Sequence, residues 1–440
     1  MSVENLTPRS VRPFVEQPLF SMTALGTFIA YALLSLMILG PYMTFKELPY
    51  TGEGSPYRQL SYFLILILAI YVAYKGHGLK GLLALPLTMA ITLTWFWITI
   101  SWAIAPGIAI RRLILTTLLI VTIFISVREL GTDRIITVMR KVFAFTLLVN
   151  YVFAIAIPSV GVHNGFDIIG FGSDPGLSGD WKGIMEQKNF AGALCMITAL
   201  IYLFDQGGLK VGWRFFMILA STYFLYRSGS KTSLGLVAIA LPFGLFFRFY
   251  NVKLRAIWVA MVITVVIGIA TAIMIYWAQI AAHFDSPDAL TGRVQIWPIL
   301  VNYWHDHPFG SGFGSFWNIG DASPSYIYAK QGSWVALVPI GHNGYLDILA
   351  QTGTVGLILA IIAVAVAPLW KLMTNPAIGN RRAALLASML VFCLCQNMME
   401  TSVFDRDSLM QTILMYILAM IEFASREKVA SRAPGLGHAR

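Results

Sequence analysis

Apolar runs of roughly 20 residues recur along the chain, joined mostly by short polar segments. About 20 apolar residues are needed to cross the ~30 Å hydrocarbon core of a membrane in a helix. The pattern therefore predicts an all-α polytopic membrane protein with about 12 transmembrane helices. The predicted spans lie near residues 20–44, 57–75, 79–105, 110–127, 135–158, 187–204, 211–227, 231–250, 254–283, 342–370, 382–400 and 407–424.

Two connections, 159–186 and 284–341, are much longer than the others. In the second, apolar residues at helical spacing and four tryptophans predict interfacial helices before span ten. A glycine run follows, "FGSGFGSFW", for which we expect close backbone packing. The predicted divisions are a cytoplasmic segment 1–19, spans one to nine within 20–283, a large periplasmic loop 284–341, spans ten to twelve within 342–424 and a cytoplasmic tail 425–440.

The charges decide the orientation. One side of the membrane would hold both termini and every second connection. These segments contain 20 Lys and Arg against 7 Asp and Glu. The connections on the other side contain 11 Lys and Arg against 13 Asp and Glu. Cytoplasmic loops carry the excess of Lys and Arg, so both termini should be cytoplasmic and both long loops periplasmic. The net charge of +10 then reflects a basic cytoplasmic face and not a nucleic-acid partner.

Several cations lie on the outer side, where this bias disfavours them. Lys188 and Lys231 stand at the outer N-terminal ends of spans six and eight. Helix N-termini attract anions, so these ends, together with Arg293 in the large loop, predict a phosphate site at the outer leaflet. For three other outer arginines, snorkelling or a local salt bridge is an equally good explanation; these are Arg111, Arg112 and Arg406.

Four segments occur in order: "WKGIMEQKNFAG", "SGSKTSLG", "LTGRVQIW" and "GHNGYLDILAQTGTVGL". Together they resemble the Wzy/O-antigen ligase superfamily of bacterial membrane glycosyltransferases, and are most similar to exopolysaccharide polymerases of the ExoQ type. The resemblance covers most of residues 181–420. The chain departs from the family at Lys231, where Arg is more frequent; Lys keeps the charge but lacks the bidentate fork.

The resemblance implies a GT-C-like fold and polymerisation of undecaprenyl-diphosphate-linked oligosaccharide repeat units at the periplasmic face of the inner membrane. The donor and the acceptor are both lipid-linked glycans, and neither a metal nor another cofactor is needed. A chain-length regulator and export machinery are possible partners. By position, His342 matches the catalytic histidine and Arg293 the essential loop arginine. Diphosphate binding is expected from Lys231, Lys188, Arg227 and Arg293, and support from Asn343, Tyr345 and Asn189.

The chemistry expected of these residues is consistent. A neutral His342 can accept the proton of a sugar hydroxyl as that hydroxyl attacks the anomeric carbon, while fixed cations stabilise the departing diphosphate. Attack opposite the diphosphate inverts the anomeric centre. Asp347 lies five residues after His342, some 140° around a helix, so we expect it to pair with a neighbouring span and not to orient the histidine.

Three alternatives remain open at this point. An O-antigen ligase would use the same donor and transfer the glycan to lipid A–core, and the catalytic residues do not separate it from a polymerase. A transporter of the lipid-linked glycan would require cations along a central path. A structural scaffold of the envelope would explain neither His342 nor Arg293.

Overall fold

The structure is a computed structural model that describes residues 21–39, 56–165, 175–205, 207–276, 279, 289–330, 333–406 and 408–426. Within these ranges the chain is helical and forms no β-strand, which confirms the predicted all-α class. The predicted N-terminal segment 1–19 and most of the predicted tail lie outside the described residues.

Helices occur at all twelve predicted spans. The main helices are α1 Met22–Leu39, α2 Pro56–His77, α3 Leu87–Thr99, α4 Pro106–Leu130, α5 Thr132–Ala156, α6 Lys188–Phe204, α7 Val211–Arg227, α8 Lys231–Gly235, α9 Val237–Phe249, α10 Arg255–Ile275, α11 Arg293–Asp306, α12 Gly344–Ile361, α13 Ala367–Thr374, α14 Asn380–Gln396 and α15 Leu409–Ala424. Two predicted spans each contain two helices, α8 with α9 and α12 with α13, and α11 lies in the second long connection. Among the described residues, six helical segments are long and apolar enough to cross a membrane. The count of twelve crossings stays a prediction.

Two predicted helix starts differ from the structure for local reasons. The third predicted span begins at Leu87 and not near 79, because a 3-10 turn at Gly78–Leu82 and Pro86 precede it. Proline disfavours helical geometry in the residue before it. The tenth begins at Gly344 and not at His342. Asn343 is its N-cap, and its side-chain oxygen accepts hydrogen bonds from the N–H groups of Tyr345 and Leu346.

Helix α15 forms the centre of the core. All residues from Leu409 to Glu422 are buried, and α15 packs against α4, α14 and α6. Large apolar side chains remain exposed on other helices, such as Phe63 on α2 and Phe215 on α7. An apolar surface of this kind is suited to contact with lipid.

The second long connection contains helix α11, as predicted. Its apolar face packs on a second buried cluster with Phe316, Trp317 and Val335. Trp317 is therefore a buried side chain and not one at a membrane interface. Gly310, Gly312 and Gly314 all have positive φ, and at Gly310 an added Cβ would lie 2.5 Å from the Gln351 backbone. The glycine run thus serves close packing, as expected.

Arg112 fixes this connection to helix α4. Its buried guanidinium donates to the carbonyl oxygens of Gly314, Trp317 and Asn318 at 2.6–3.1 Å. Neither snorkelling nor a local salt bridge, the two expected explanations, describes these bonds. For Arg406 the local pair is confirmed, since its Nε lies 3.8 Å from Oδ1 of Asp405.

Candidate active site

His342 occupies an unusual backbone position directly before the cap of α12. Its φ of 49° lies in the left-handed region, which only a few per cent of non-glycine residues adopt. The side chain is 24% exposed. Such a conformation persists only where the surrounding structure enforces it, and residues of this kind are enriched at functional sites.

The imidazole of His342 contacts a carboxylate that sequence analysis did not single out. Its Nδ1 lies 3.1 Å from Oε2 of Glu400. The other carboxylate oxygen, Oε1, accepts hydrogen bonds from Arg293 and Asn189, each at 2.7 Å. Three predicted site residues, from α6, α11 and the segment before α12, therefore meet at one acid.

Glu400 is almost fully buried, but its polar contacts favour the ionised form of its carboxyl. Burial acts to raise the pKa of its carboxyl. The hydrogen bond and charge of His342, the charge of Arg293 and the hydrogen bond from Asn189 together outweigh burial and lower that pKa below its ordinary value. When His342 is neutral, its charge no longer contributes, but the charge of Arg293 and the hydrogen bonds still favour an ionised Glu400. An ionised carboxylate only accepts hydrogen bonds, so the neutral His342 tautomer that fits carries its hydrogen on Nδ1. The lone pair of Nε2 is then left open to a substrate.

A compact loop after α14 presents Glu400. The side-chain oxygen of Asn397 accepts from the N–H groups of Ser402 and Val403, both at 2.9 Å. The backbone of Asn397 in turn accepts from the N–H of Gly344 at 2.9 Å. The loop that carries the acid is thus attached directly to the start of α12, next to His342.

Arg293 is held in several directions at once. Besides Glu400, its guanidinium donates to the carbonyl oxygens of Met399 at 2.8 Å and Leu290 at 3.1 Å. Helix α11 begins at this residue, so these bonds fix the start of α11 against the Glu400 loop.

The other predicted cations lie around the neighbouring turn between α7 and α8. Ser230 joins this turn to the site, because its hydroxyl donates to Asn189 at 3.2 Å. Lys188 forms an ion pair with Asp180 at 2.6 Å, and the guanidinium of Arg227 lies 4.7 Å from the ring centre of Trp181. Lys231 is exposed and forms no ion pair with any residue that the structure describes.

The predicted supporting residues divide into two groups. Asn189 contacts the site directly through Glu400. Asn343 instead caps α12 and thereby occupies two N–H groups of that helix end, so those groups are not open to an anion. The Tyr345 hydroxyl donates to the carbonyl oxygen of Leu394 at 2.9 Å and anchors α12 to α14.

Asp347 does not contact the imidazole, as expected, although the helical-angle argument does not apply because His342 lies before the start of α12. Its carboxylate accepts from Trp317, from the backbone N–H of Gly341 and from the hydroxyl of Thr401. All three partners lie in connections between helices. The expectation that Asp347 pairs with a neighbouring span was therefore wrong. The reason is that donors from three loop positions already bind the two oxygens of the Asp347 carboxylate, so no partner on a neighbouring span is needed.

Glu400 and Asp180 are the site residues that sequence reasoning missed. Each is one of several acids in its polar connection, where charged residues are ordinary. A usable signal was present for Glu400: it is an acid at the outer end of an apolar run, on the same predicted side as the histidine. Within the described ranges, no group of three or more His, Cys, Asp or Glu side chains could hold a metal ion.

Residues 215–361 match the family model described as O-antigen ligase, Wzy_C. Over these residues the chain is similar to O-antigen ligases. The match supports the resemblance to the Wzy/O-antigen ligase superfamily and, with the apolar helices, indicates a multi-pass membrane protein. A search among curated proteins gave no match.

The matched segment contains most of the cations and the histidine of the site. Arg227, Lys231, Arg293 and His342 all lie inside the matched residues. Glu400, on which His342 and Arg293 converge, lies beyond the end of the match, and Lys188 and Asn189 lie before its start. The arrangement at Glu400 therefore joins the matched segment to helices on both sides of it.

Proposed function

We propose that this protein is a membrane glycosyltransferase that polymerises undecaprenyl-diphosphate-linked oligosaccharide repeat units at the periplasmic face of the bacterial inner membrane. The observation that carries the proposal is the convergence of His342, Arg293 and Asn189 on the ionised Glu400 carboxylate. The family match supports a ligase or polymerase of lipid-linked glycans.

In the proposed reaction, Glu400 holds the His342 ring with hydrogen on Nδ1, and Nε2 acts as the general base. It accepts the proton of an acceptor sugar hydroxyl as the hydroxyl oxygen attacks the anomeric carbon of the donor. The bond from that carbon to the lipid diphosphate breaks, the diphosphate leaves with the electron pair, and the anomeric configuration inverts. General bases of this kind contribute about 10²–10⁴-fold in rate.

The departing diphosphate gains negative charge and needs fixed cations. Lys231 and Arg227 suit this role best, because neither forms an ion pair with a residue in the described ranges. Lys188 is partly neutralised by Asp180, and Arg293 by Glu400. We therefore assign Arg293 two tasks. It fixes the orienting carboxylate, and its N–H groups not used by the protein can meet the diphosphate.

The proposed topology follows from the charge distribution. Both termini are cytoplasmic, residues 284–341 form the periplasmic loop, and twelve spans form a GT-C-like arrangement. The active site then faces the periplasm, where lipid-linked repeat units are joined. A chain-length regulator and export machinery are the proposed protein partners.

An O-antigen ligase is the second candidate, because the matched family model carries that description. Both enzymes would use the same donor and differ in the acceptor. Deletion of the gene followed by analysis of cell glycans separates them. Accumulated single lipid-linked repeat units support the polymerase. Long lipid-linked polymer that fails to reach lipopolysaccharide would support the ligase, and unchanged glycans would contradict both.

A further inference from the structure

We propose that Asp347 is a positioning residue that holds His342 and Glu400 together without touching either side chain. This inference rests on the proposed glycosyltransferase function. Asp347 lies in the first turn of α12 and is 2% exposed. An ionisable group buried at the end of a candidate span is costly unless it is well paired, and the structure supplies three hydrogen-bond donors to it.

Two of the three donors are chain neighbours of His342 and Glu400. Oδ2 accepts from the backbone N–H of Gly341 at 3.2 Å and from the hydroxyl of Thr401. Gly341 directly precedes His342, and Thr401 directly follows Glu400. One carboxylate oxygen therefore binds both chain segments at the positions next to the base and its orienting acid.

The third contact of Asp347 reaches the connection that contains α11. Oδ1 accepts from the indole N–H of Trp317 at 2.6 Å. Trp317 is buried in the cluster that also holds the apolar face of α11, and α11 begins at Arg293. Asp347 thus links the three segments that supply His342, Glu400 and Arg293.

The packing at Gly341 shows how closely the carboxylate approaches the chain before His342. A Cβ added there would lie 2.5 Å from Oδ1 of Asp347 and 2.7 Å from Cδ1 of Leu300. A side chain at position 341 would displace the carboxylate. The left-handed φ of His342 follows immediately after this contact, so Asp347 holds the backbone where its conformation is least favourable.

A carboxylate suits this position better than a neutral group of the same shape. Three donors meet its two oxygens, and an amide offers only one oxygen and adds two donors. In Asp347→Asn, one donor must therefore face an N–H group. The variant should loosen the geometry of the His342–Glu400 pair, although the side chains of His342 and Glu400 are themselves unchanged.

The kinetic test uses the purified full-length protein and lipid-linked oligosaccharide extracted from a strain deleted for this gene. Thr401→Val removes one donor, and Thr401→Ser retains it. We expect Thr401→Val to lower kcat about 10-fold and Asp347→Asn about 10- to 100-fold, a range typical of outer-shell partners. KM should stay unchanged, and Thr401→Ser should match the wild type. The loss in the double variant should be smaller than the product of the two single losses, because both residues belong to one hydrogen-bonded group. A loss confined to KM, or kcat values near wild type in both Asp347→Asn and Thr401→Val, would overturn the proposal.

A second readout does not depend on activity. The tautomer can be measured by NMR in protein labelled with ¹⁵N-histidine. The imidazole signal that is present in the wild type and absent from His342→Gln belongs to His342. The wild type should show hydrogen on Nδ1, and Asp347→Asn and Thr401→Val should each show a mixture of tautomers. An unchanged tautomer in both variants would refute the positioning role. If the wild type makes no polymer but the tautomer responds, the positioning role stands and the proposed reaction fails.

Discussion

Nδ1 of His342 lies 3.1 Å from Oε2 of Glu400, although 58 positions separate the two residues in the chain. The other oxygen of Glu400 is bound by Arg293 and Asn189. A histidine oriented by a carboxylate, which is itself fixed by a cation and an amide, has the parts of a general base with a defined tautomer.

Glu400→Gln tests whether the carboxylate orients the base. The amide keeps the size of the side chain but not its charge, so Nδ1 of His342 loses its ionised acceptor. We expect kcat to fall on the order of 10²-fold with the donor KM little changed, measured with purified protein and lipid-linked oligosaccharide.

The chain offers a matched control: Nδ1 of His77 lies 3.0 Å from Oε1 of Glu129. Glu129→Gln should retain activity, and equal losses in both variants would argue against a specific role.

The lowered pKa of Glu400 predicts a dependence of stability on pH. A carboxyl whose pKa is lower in the folded protein than in the unfolded chain contributes stability above the unfolded value, near 4.3. That contribution is lost as pH falls through the folded value. The difference in thermal midpoint between wild type and Glu400→Gln should therefore be constant near neutral pH and shrink below about pH 4.5. A difference that grew on acidification would mean the opposite sign of shift.

The helices were predictable because each apolar run is an intrinsic, local property of the sequence. Their ends were less so: Pro86 and the Asn343 cap moved two starts by two to eight residues. His342 and Arg293 could be named because each lies in a recognisable motif. For Glu400 the only signal was an acid at the end of an apolar run, because its contact with His342 arises when the loop after α14 packs against Gly344. No local pattern encodes that contact.

The same limit applies to the cations. Sequence reasoning grouped Lys188 with Lys231 as equivalent charges at helix ends. The structure distinguishes them: Lys188 is paired with Asp180, whereas Lys231 is exposed. The partner of each charge depends on tertiary contacts, so the available cations could be listed from the sequence but not ranked.

Lys231 is expected to bind the donor diphosphate through its charge. Lys231→Ala should raise the donor KM about 10-fold or more, since a hydrogen bond to a charged group contributes about 1.5–3 kcal/mol. Lys231→Arg should be tolerated because it keeps the charge. Lys330, an exposed lysine in the outer loop, provides the control, and Lys330→Ala should leave KM unchanged. If Lys231→Ala kept a wild-type KM, the diphosphate would have to bind elsewhere.

The proposed topology can be checked with single cysteines in a variant that lacks Cys195, Cys393 and Cys395. Ala322 and Lys210 are exposed, and the charge distribution places them on opposite sides of the membrane. In intact cells with a permeabilised outer membrane, an impermeant thiol reagent should label Ala322→Cys but not Lys210→Cys. The reverse labelling would invert the orientation and place the site in the cytoplasm.

Formation of the glycosidic bond by His342→Gln is the measurement that tests the central claim most directly. The amide can form hydrogen bonds but does not accept a proton at neutral pH, so product formation from lipid-linked repeat units should fall about 10²–10⁴-fold. Donor binding should persist, because the cations are untouched, and His77→Gln should behave as the wild type. A His342→Gln protein that folds, binds donor and joins repeat units at near wild-type rate would show that His342 is not the base.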